Sequence, residues 1–474
     1  MKEVVKSFDS LYIGGVAASL IPDLFEKETG LPVRKNIIVG LLDKSGILDD
    51  NEIIIDTLTP DYSILETISY RYPLDTGYLG YTTKGCRRGC EFCAVPRLEP
   101  KYKNRVSLKH QLPPKKDEIR KDLILMDNNV LDSPKFSRII QEILKMGFAK
   151  DDRFVEPNRF EILTDYLFNS NKDNEQKYLQ KIYAFLQEFG NRRIRNTKIR
   201  EQYYQLLHER KFDYCWSFTK QNLLNSKDEI NKFIEKYRHK TPKRRYVDFN
   251  QGLDCRYLDE EKMKLLSQLP IQPMRIAFDK LSLRELYEKA VRLAVKYGIR
   301  HLSNYILFNY DDTPEDLWHR LNINQNLNRE LNIKIYSFPM KFVPMSGEDA
   351  KNRSFVGPNW SPKYLRAIQC ILNVTRTGVV MDRPAFFEEA FGHTLEEYFE
   401  ILMLPETYIL HRNHFKENGI RNKWRNQWQN LNSIERKEAE SIIFFNKFYS
   451  FEDSTSKAVV DFMKHYTLKY KPTT

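Results

Sequence analysis

The chain is predicted to adopt an α/β fold, and three features of its sequence say so. Between residues 76 and 345, short apolar runs alternate six times with amphipathic stretches, the pattern of strands followed by helices. A smaller strand–helix–strand alternation precedes them in residues 1–75. Beyond 345 the alternation stops, and residues 346–474 keep only helical periodicity.

In the first lobe, residues 10–24 read as a strand, a glycine turn at Gly14-Gly15 and a helix. Apolar runs follow at Asn36–Leu42 and Glu52–Asp56. The glycine pair lacks the full G-x-G-x-x-G fingerprint, so a tight turn is the favoured reading. Strand one is expected at Tyr78–Thr83 and strand two at Leu123–Asn129, with a helix near 134–147. Strand three, Tyr246–Asn250, precedes a helix at about 259–268, and strand four, Met274–Phe278, precedes one at 282–297. Strand five, Leu302–Phe308, leads into a helix that Thr313 caps and Pro314 opens. Strand six falls within Ile333–Val343.

Between strands two and three lies a stretch far longer than a β–α connection needs. At about 150–240 it reads as a mainly helical insertion, with Tyr178, Leu179, Ile182, Tyr183, Phe185 and Leu186 on one face. Helices are also expected at 361–380, 384–403 and 431–449, with Pro362, Pro384 and Pro405 near their boundaries.

Composition fits a cytoplasmic enzyme. The 474 residues have room for a large core and more than one domain. No uninterrupted apolar run approaches 18 residues, so no membrane span is expected, and the first residues lack an apolar signal segment. Lys and Arg number 76 against 64 Asp and Glu, a modest basic excess compatible with a polyanionic partner or with simple solubility.

The most specific signal is Cys86, Cys90 and Cys93 in the run Gly85-Cys-Arg-Arg-Gly-Cys-Glu-Phe-Cys. Three soft thiolates within eight residues suit iron and one small cluster, whose fourth iron would stay open. A structural zinc site closes with four ligands, yet the next cysteine is Cys215. A disulfide framework suits small secreted chains rather than one with 6 cysteines in 474 residues.

The C-x3-C-x-F-C motif resembles that of the radical S-adenosylmethionine (radical SAM) enzymes. The resemblance covers roughly residues 60–345 and implies a partial (β/α)6 TIM-like barrel at 76–345, with the cysteine loop after its first strand. It implies one [4Fe-4S] cluster on Cys86, Cys90 and Cys93, SAM on the open iron, and a reductant such as flavodoxin or ferredoxin. Reductive cleavage of SAM would give a 5′-deoxyadenosyl radical that abstracts hydrogen from an unidentified substrate. The 1–75 lobe resembles a shortened form of the cobalamin-binding domain that some members carry. It lacks D-x-H-x-x-G, so no cobalamin is expected. Cys215, Cys255 and Cys370 are scattered, so neither a second cluster nor sulfur insertion is expected.

Functional residues of such barrels lie at the C-terminal ends of strands. Phe92 is expected near the adenine from its place in the motif. Asp127 or Asn128 is the candidate for the SAM amino group, where the family often has Gly-Gly-Glu. Asn250, Asp254 and Arg256 follow strand three, and Asp254 and Arg256 are candidates to orient substrate or hold the SAM carboxylate. Asp279 and Lys280 follow strand four as candidates for ribose or substrate. The set 309–312 follows strand five, where Asp312-Thr313 also suits a helix cap, and Lys341 ends strand six.

Two other readings stay open. Residues 191–210 hold 6 Lys and Arg against 2 Glu, with Tyr203 and Tyr204 among them, and residues 411–474 mix Arg with Trp424 and Trp428. These features fit a nucleic-acid- or nucleotide-modifying enzyme, or solvated helices and a packed lid. His411 and His414 have no evident third ligand. The other alternative is a non-catalytic iron–sulfur or binding protein with a degenerate barrel.

Overall fold

Seven parallel strands, in two ladders, carry the core next to the cysteine loop. The computed structural model describes residues 2–468 apart from 8–10, 48–51, 63–64, 66–69, 71, 73, 114–118, 171, 213, 215–216, 376–377, 382 and 449–455. Its strands are β1 (Gly77–Gly80), β2 (Asp122–Leu125), β3 (Arg153–Phe154), β4 (Lys243–Arg244), β5 (Val247–Phe249), β6 (Leu253–Asp254), β7 (Met274–Ala277), β8 (His301–Phe308) and β9 (Lys334–Lys341).

β1, β2 and β5 form one parallel ladder, and β6, β7, β8 and β9 form another. The two meet where Val247 bridges Ile271, just before β7. Leu123, Leu125, Val247, Phe249, Met274 and Ile276 point to one side and pack among the helices Phe136–Lys145, Glu260–Leu266 and Arg284–Lys296. Helices between parallel strands bury that face and force the right side-chain register. The other face holds Asp248 and Arg275, with Leu79, Met126 and Met340 exposed.

The α/β class is therefore observed, but the sheet is open: among the described residues no pairing joins β1 to β9. Each edge is covered separately. Tyr62 Oη accepts the Leu79 backbone N–H at 2.7 Å, and Ser337 exchanges two backbone hydrogen bonds with Val380. Covering an edge satisfies its backbone groups without closing the sheet.

The helix Pro314–Leu331 begins with a capping box: Thr313 Oγ1 accepts from the Asp316 N–H, and Asp316 accepts from the Thr313 N–H. Behind it Arg320 is fully buried, donating to the carbonyls of Asp279 and Leu307 and to Asp312 Oδ2. This one side chain ties the ends of β7 and β8 to the helix.

Three expectations are corrected. The N-terminal runs do not form strands; they leave helices Val16–Leu20 and Pro22–Thr29 and isolated bridges of Ile37 with Ile13 and Val33. Within Glu52–Asp56 only a 3-10 turn begins, at Ile55. The C-terminal region is more finely divided than expected. Its 384–403 segment breaks at Gly392, where a Cβ would meet Glu397 and Tyr398 atoms at 2.8 Å.

The insertion is helical, with Arg159–Asn169, Lys172–Arg193, Thr197–Glu209 and Lys220–Tyr237 around their own core of Phe160, Leu186, Phe212 and Ile230. The antiparallel pair β3–β4 forms its base. Tyr203 belongs to that core and donates its hydroxyl to the Leu186 carbonyl, so it is not offered for base stacking. Trp424 is likewise buried and stacked with Trp428 in the C-terminal core, which favours packing over base contact. No helix among the described residues is long and apolar enough to cross a membrane.

Candidate metal centre

The loop that carries the three cysteines is built from the strand ends beneath it. β1 stops at Gly80, and Thr82 and Thr83 then turn into a buried carboxylate at the end of β2. Thr82 donates its N–H and hydroxyl to Asp127 Oδ1 at 2.9 and 2.7 Å, and Thr83 does the same at 2.5 and 2.7 Å. Asp127 Oδ2 is buried with no hydrogen-bond partner among the described residues. Burial pushes the Asp127 carboxyl up to about 6 against the pull of these hydrogen bonds.

Glu99 closes the loop from its far side, accepting from the Gly85 N–H at 2.6 Å and from Asn128 Nδ2 at 2.8 Å. Gly85 sits at φ +71°, and a Cβ there would lie 2.8 Å from the Glu99 carbonyl oxygen and 2.9 Å from that of Lys101. Only glycine meets both demands.

Cys86, Cys90 and Cys93 are free of disulfides and half-buried. Cys86 Sγ accepts from the Arg88 N–H at 3.4 Å and from Asn129 Nδ2 at 3.6 Å. Burial pushes the Cys93 thiol up, and the charges of Cys90, Cys86 and Asp279 add to it.

The facing wall comes from β6 and β7. Arg256 binds Asp254 through two bonds, Nε to Oδ1 at 2.6 Å and Nη2 to Oδ2 at 2.8 Å, and Arg88 Nε stands 3.9 Å from Asp254. Burial opposes the Arg256 charge, but Asp254 and then Cys90 more than restore it. Burial pushes Asp279 up, while Arg256 and Arg320 partly offset this. Through Arg88 the cysteine loop thus meets Asp254, and Asp254 in turn holds Arg256.

Phe92 meets Tyr310 edge to face, with ring centroids 5.7 Å apart, and Tyr310 donates its hydroxyl to Glu91 at 2.7 Å. Lys280 pairs with Asp311 beside it. Asn250 lies farther along the inner face, its amide 3.8 Å from Met126 Sδ and its carbonyl accepting from Tyr305 Oη at 3.1 Å. Asp127 and Asn128 are engaged in holding the loop, so their expected part in binding an amino group competes with that bonding. Asp312 is bound by Arg320 and by the Trp360 indole N–H. Cys370 is in the C-terminal core, Cys255 is buried with its thiol pushed up to about 11 by burial, and Cys215 lies outside the described residues.

Sequence reasoning did not find Glu99, Thr82 or Thr83, whose roles depend on long-range partners. Arg275 carried a signal: it alternates with the core residues Met274 and Ile276 and so faces the opposite side.

The donor set fits an iron–sulfur cluster. Three thiols share one loop with amide donors at Cys86 and a cation–carboxylate wall opposite. Among the described residues no group of three or more His, Cys, Asp and Glu side chains is arranged to hold a single metal ion. A cubane cluster places each thiolate on a different iron and so does not need that tight arrangement.

No protein-family model matches the chain, and no curated protein does. Among solved structures, it is similar to the radical S-adenosylmethionine methyltransferase TsrM from Kitasatospora setae, a structure with cobalamin and a [4Fe-4S] cluster bound. Identity is 14%, the TM-score is 0.27, and the match covers 58% of this chain and 39% of the other. The chain thus spans well under half of that relative's length.

Proposed function

We propose that this chain is a radical SAM enzyme whose 76–345 segment works as a partial (β/α)6 barrel, flanked by units at 1–75 and 346–474. One observation supports the reading: three disulfide-free thiols share the loop after β1, and Arg88 of that loop stands 3.9 Å from Asp254, which holds Arg256 at the neighbouring strand end. Cys86, Cys90 and Cys93 would hold one [4Fe-4S] cluster. When bound, the cluster and SAM supply reductive cleavage of SAM to a 5′-deoxyadenosyl radical that takes hydrogen from a substrate.

The chain's own groups position and exclude. The Thr82–Thr83–Asp127 clamp and Glu99 fix the loop at both ends. Arg256, pre-oriented by Asp254, is the cation for the SAM carboxylate. Phe92 and Tyr310 form an apolar wall beside the loop, limiting water on the adenine side. A reductant such as flavodoxin or ferredoxin would dock at this mouth in the cytoplasm.

Anaerobic reconstitution with iron and sulfide, then reduction in the presence of SAM, tests the reading. Brown protein that forms 5′-deoxyadenosine and methionine supports it, with Cys93→Ala losing both colour and product. Colourless wild-type protein overturns it.

A nucleic-acid substrate is the second reading, favoured by Arg192, Arg193, Arg195 and Lys198, all exposed on the insertion. It requires RNA or DNA binding that weakens steeply with salt.

A further inference from the structure

Beside the Asn250 turn, the inner face opens into a groove of about 550 Å³ between β8, β9 and the helix Pro362–Asn373. Tyr305, Phe338 and Met340 form its strand side, and Gln369, Leu372 and Asn373 its helix side. Tyr305 ties the groove to the Asn250 turn, since its hydroxyl donates to the Asn250 carbonyl.

The lining chooses its ligand by chemistry. The rings of Tyr305 and Phe338 stand 5.7 Å apart at 51°, and the Arg275 guanidinium lies 5.8 and 5.9 Å from their centroids. Arg275 is itself held by Asp248 through two 2.8 Å bonds, which fixes the cation and neutralises it. Among the described residues, no charged side chain lines the groove. A neutral, flat occupant is therefore favoured over an ionic one.

Across from the rings, Gln369 and Asn373 stand one helical turn apart on the same face. Gln369 Nε2 donates to Asn373 Oδ1 at 2.8 Å. This leaves the Gln369 carbonyl oxygen as an acceptor and the Asn373 amide N–H as a donor. An acceptor and a donor on one helix face match the N–H and C=O of a lactam edge, as in uracil or guanine.

We propose that this groove binds a nucleobase-type heterocycle with a lactam edge, its face on one ring of the inclined Tyr305–Phe338 pair and its edge on Gln369 and Asn373. This names the substrate class of the proposed enzyme and so rests on that reading. The base is presented either as a free nucleoside or within a single strand, and the experiment separates the two.

Full-length protein, apo and reconstituted, is titrated by calorimetry with uridine, guanosine, 3-methyluridine and a short oligouridine. Uridine or oligouridine binding is expected, the tighter of the two identifying the source. Methylation of N3 removes the edge donor and should weaken uridine by about tenfold or more, as unpaired edge groups do. Gln369→Leu with Asn373→Leu should remove the distinction between uridine and 3-methyluridine. Both positions are exposed, and an unchanged melting temperature verifies folding. Equal affinity for uridine and 3-methyluridine in the wild type, or no binding of any probe, overturns the proposal. Cluster loading and 5′-deoxyadenosine formation are read separately. Brown, SAM-cleaving protein that ignores these probes sinks the substrate class alone, whereas colourless protein sinks the enzyme reading.

Discussion

Thr83 is joined twice to Asp127: its backbone N–H and its hydroxyl both donate to Asp127 Oδ1, at 2.5 and 2.7 Å. Because Thr82 repeats the pattern, one buried oxygen fixes the entry to the cysteine loop against the end of β2. Asp127→Leu removes the acceptor and strands two buried N–H groups at about 1–3 kcal/mol each. Alkylation of the three thiols in anaerobic apo-protein should speed up several-fold, and chemical denaturation should report the lost stability. Asp127→Asn keeps Oδ1 and should stay near wild type; if both variants behave alike, the clamp is not what orders the loop.

Gly85→Ala places a methyl against two carbonyl oxygens at a left-handed φ. The strain is on the order of 1–3 kcal/mol. Lower thermal stability and reduced iron content after reconstitution are expected, with the metal loss the larger effect because the strain sits next to Cys86.

Arg320→Met leaves Asp312 buried without its cation. Removing one partner of such a pair costs about 3–5 kcal/mol. Urea denaturation should show this, and adding Asp312→Asn should recover part of it. An undiminished unfolding midpoint in the single variant would refute the role given to Arg320.

His465 is held neutral between the Tyr408 hydroxyl at 2.6 Å and Gln427 Oε1 at 2.5 Å, and burial, helped by Lys423, pushes its pKa down to about 4. The unfolded chain therefore binds the proton more readily between about pH 6.5 and 4. Its contribution to stability is complete above pH 6.5 and is lost as pH falls towards 4. Melting temperatures from pH 7.5 to 4.5 should fall less steeply in His465→Gln than in wild type.

Replacing residues 156–241 by a short flexible linker keeps the β3–β4 pair and removes four helices with their own core. The shortened protein should fold, with a cooperative transition and unchanged cysteine-loop alkylation. Aggregation of the shortened protein, together with failure of the excised segment to fold, would show that the cores depend on each other.

Much of this architecture was legible in the chain. β8 and β9 follow long alternating runs, and Thr313-Pro314 announces its helix because capping chemistry is local. The runs at Asn36–Leu42 and Glu52–Asp56 misled because each is apolar enough for a strand but lies outside the parallel ladders. For Tyr203 and Trp424 the sequence left base stacking and packing both open; each faces inward on its helix, and a charge count does not say which face is buried. At the metal centre, the cysteine spacing was visible, whereas Glu99 and the Thr82–Thr83 pair depend on partners up to 45 residues away.

The sequence by itself determined the α/β class, the order of its strands and the three-thiol loop after the first, because alternation and ligand spacing are relations between near neighbours. Only the tertiary structure decided which groups face that loop and that the sheet stays open. Those outcomes depend on which distant segments cover an edge or fill a face, as Tyr62 does at Leu79 and Val380 does at Ser337. Burial is a property of the packed whole: the sequence offered Asp254 and Arg256 as candidates after a strand, but only the fold shows that they bind each other and that Arg88 of the cysteine loop stands beside Asp254.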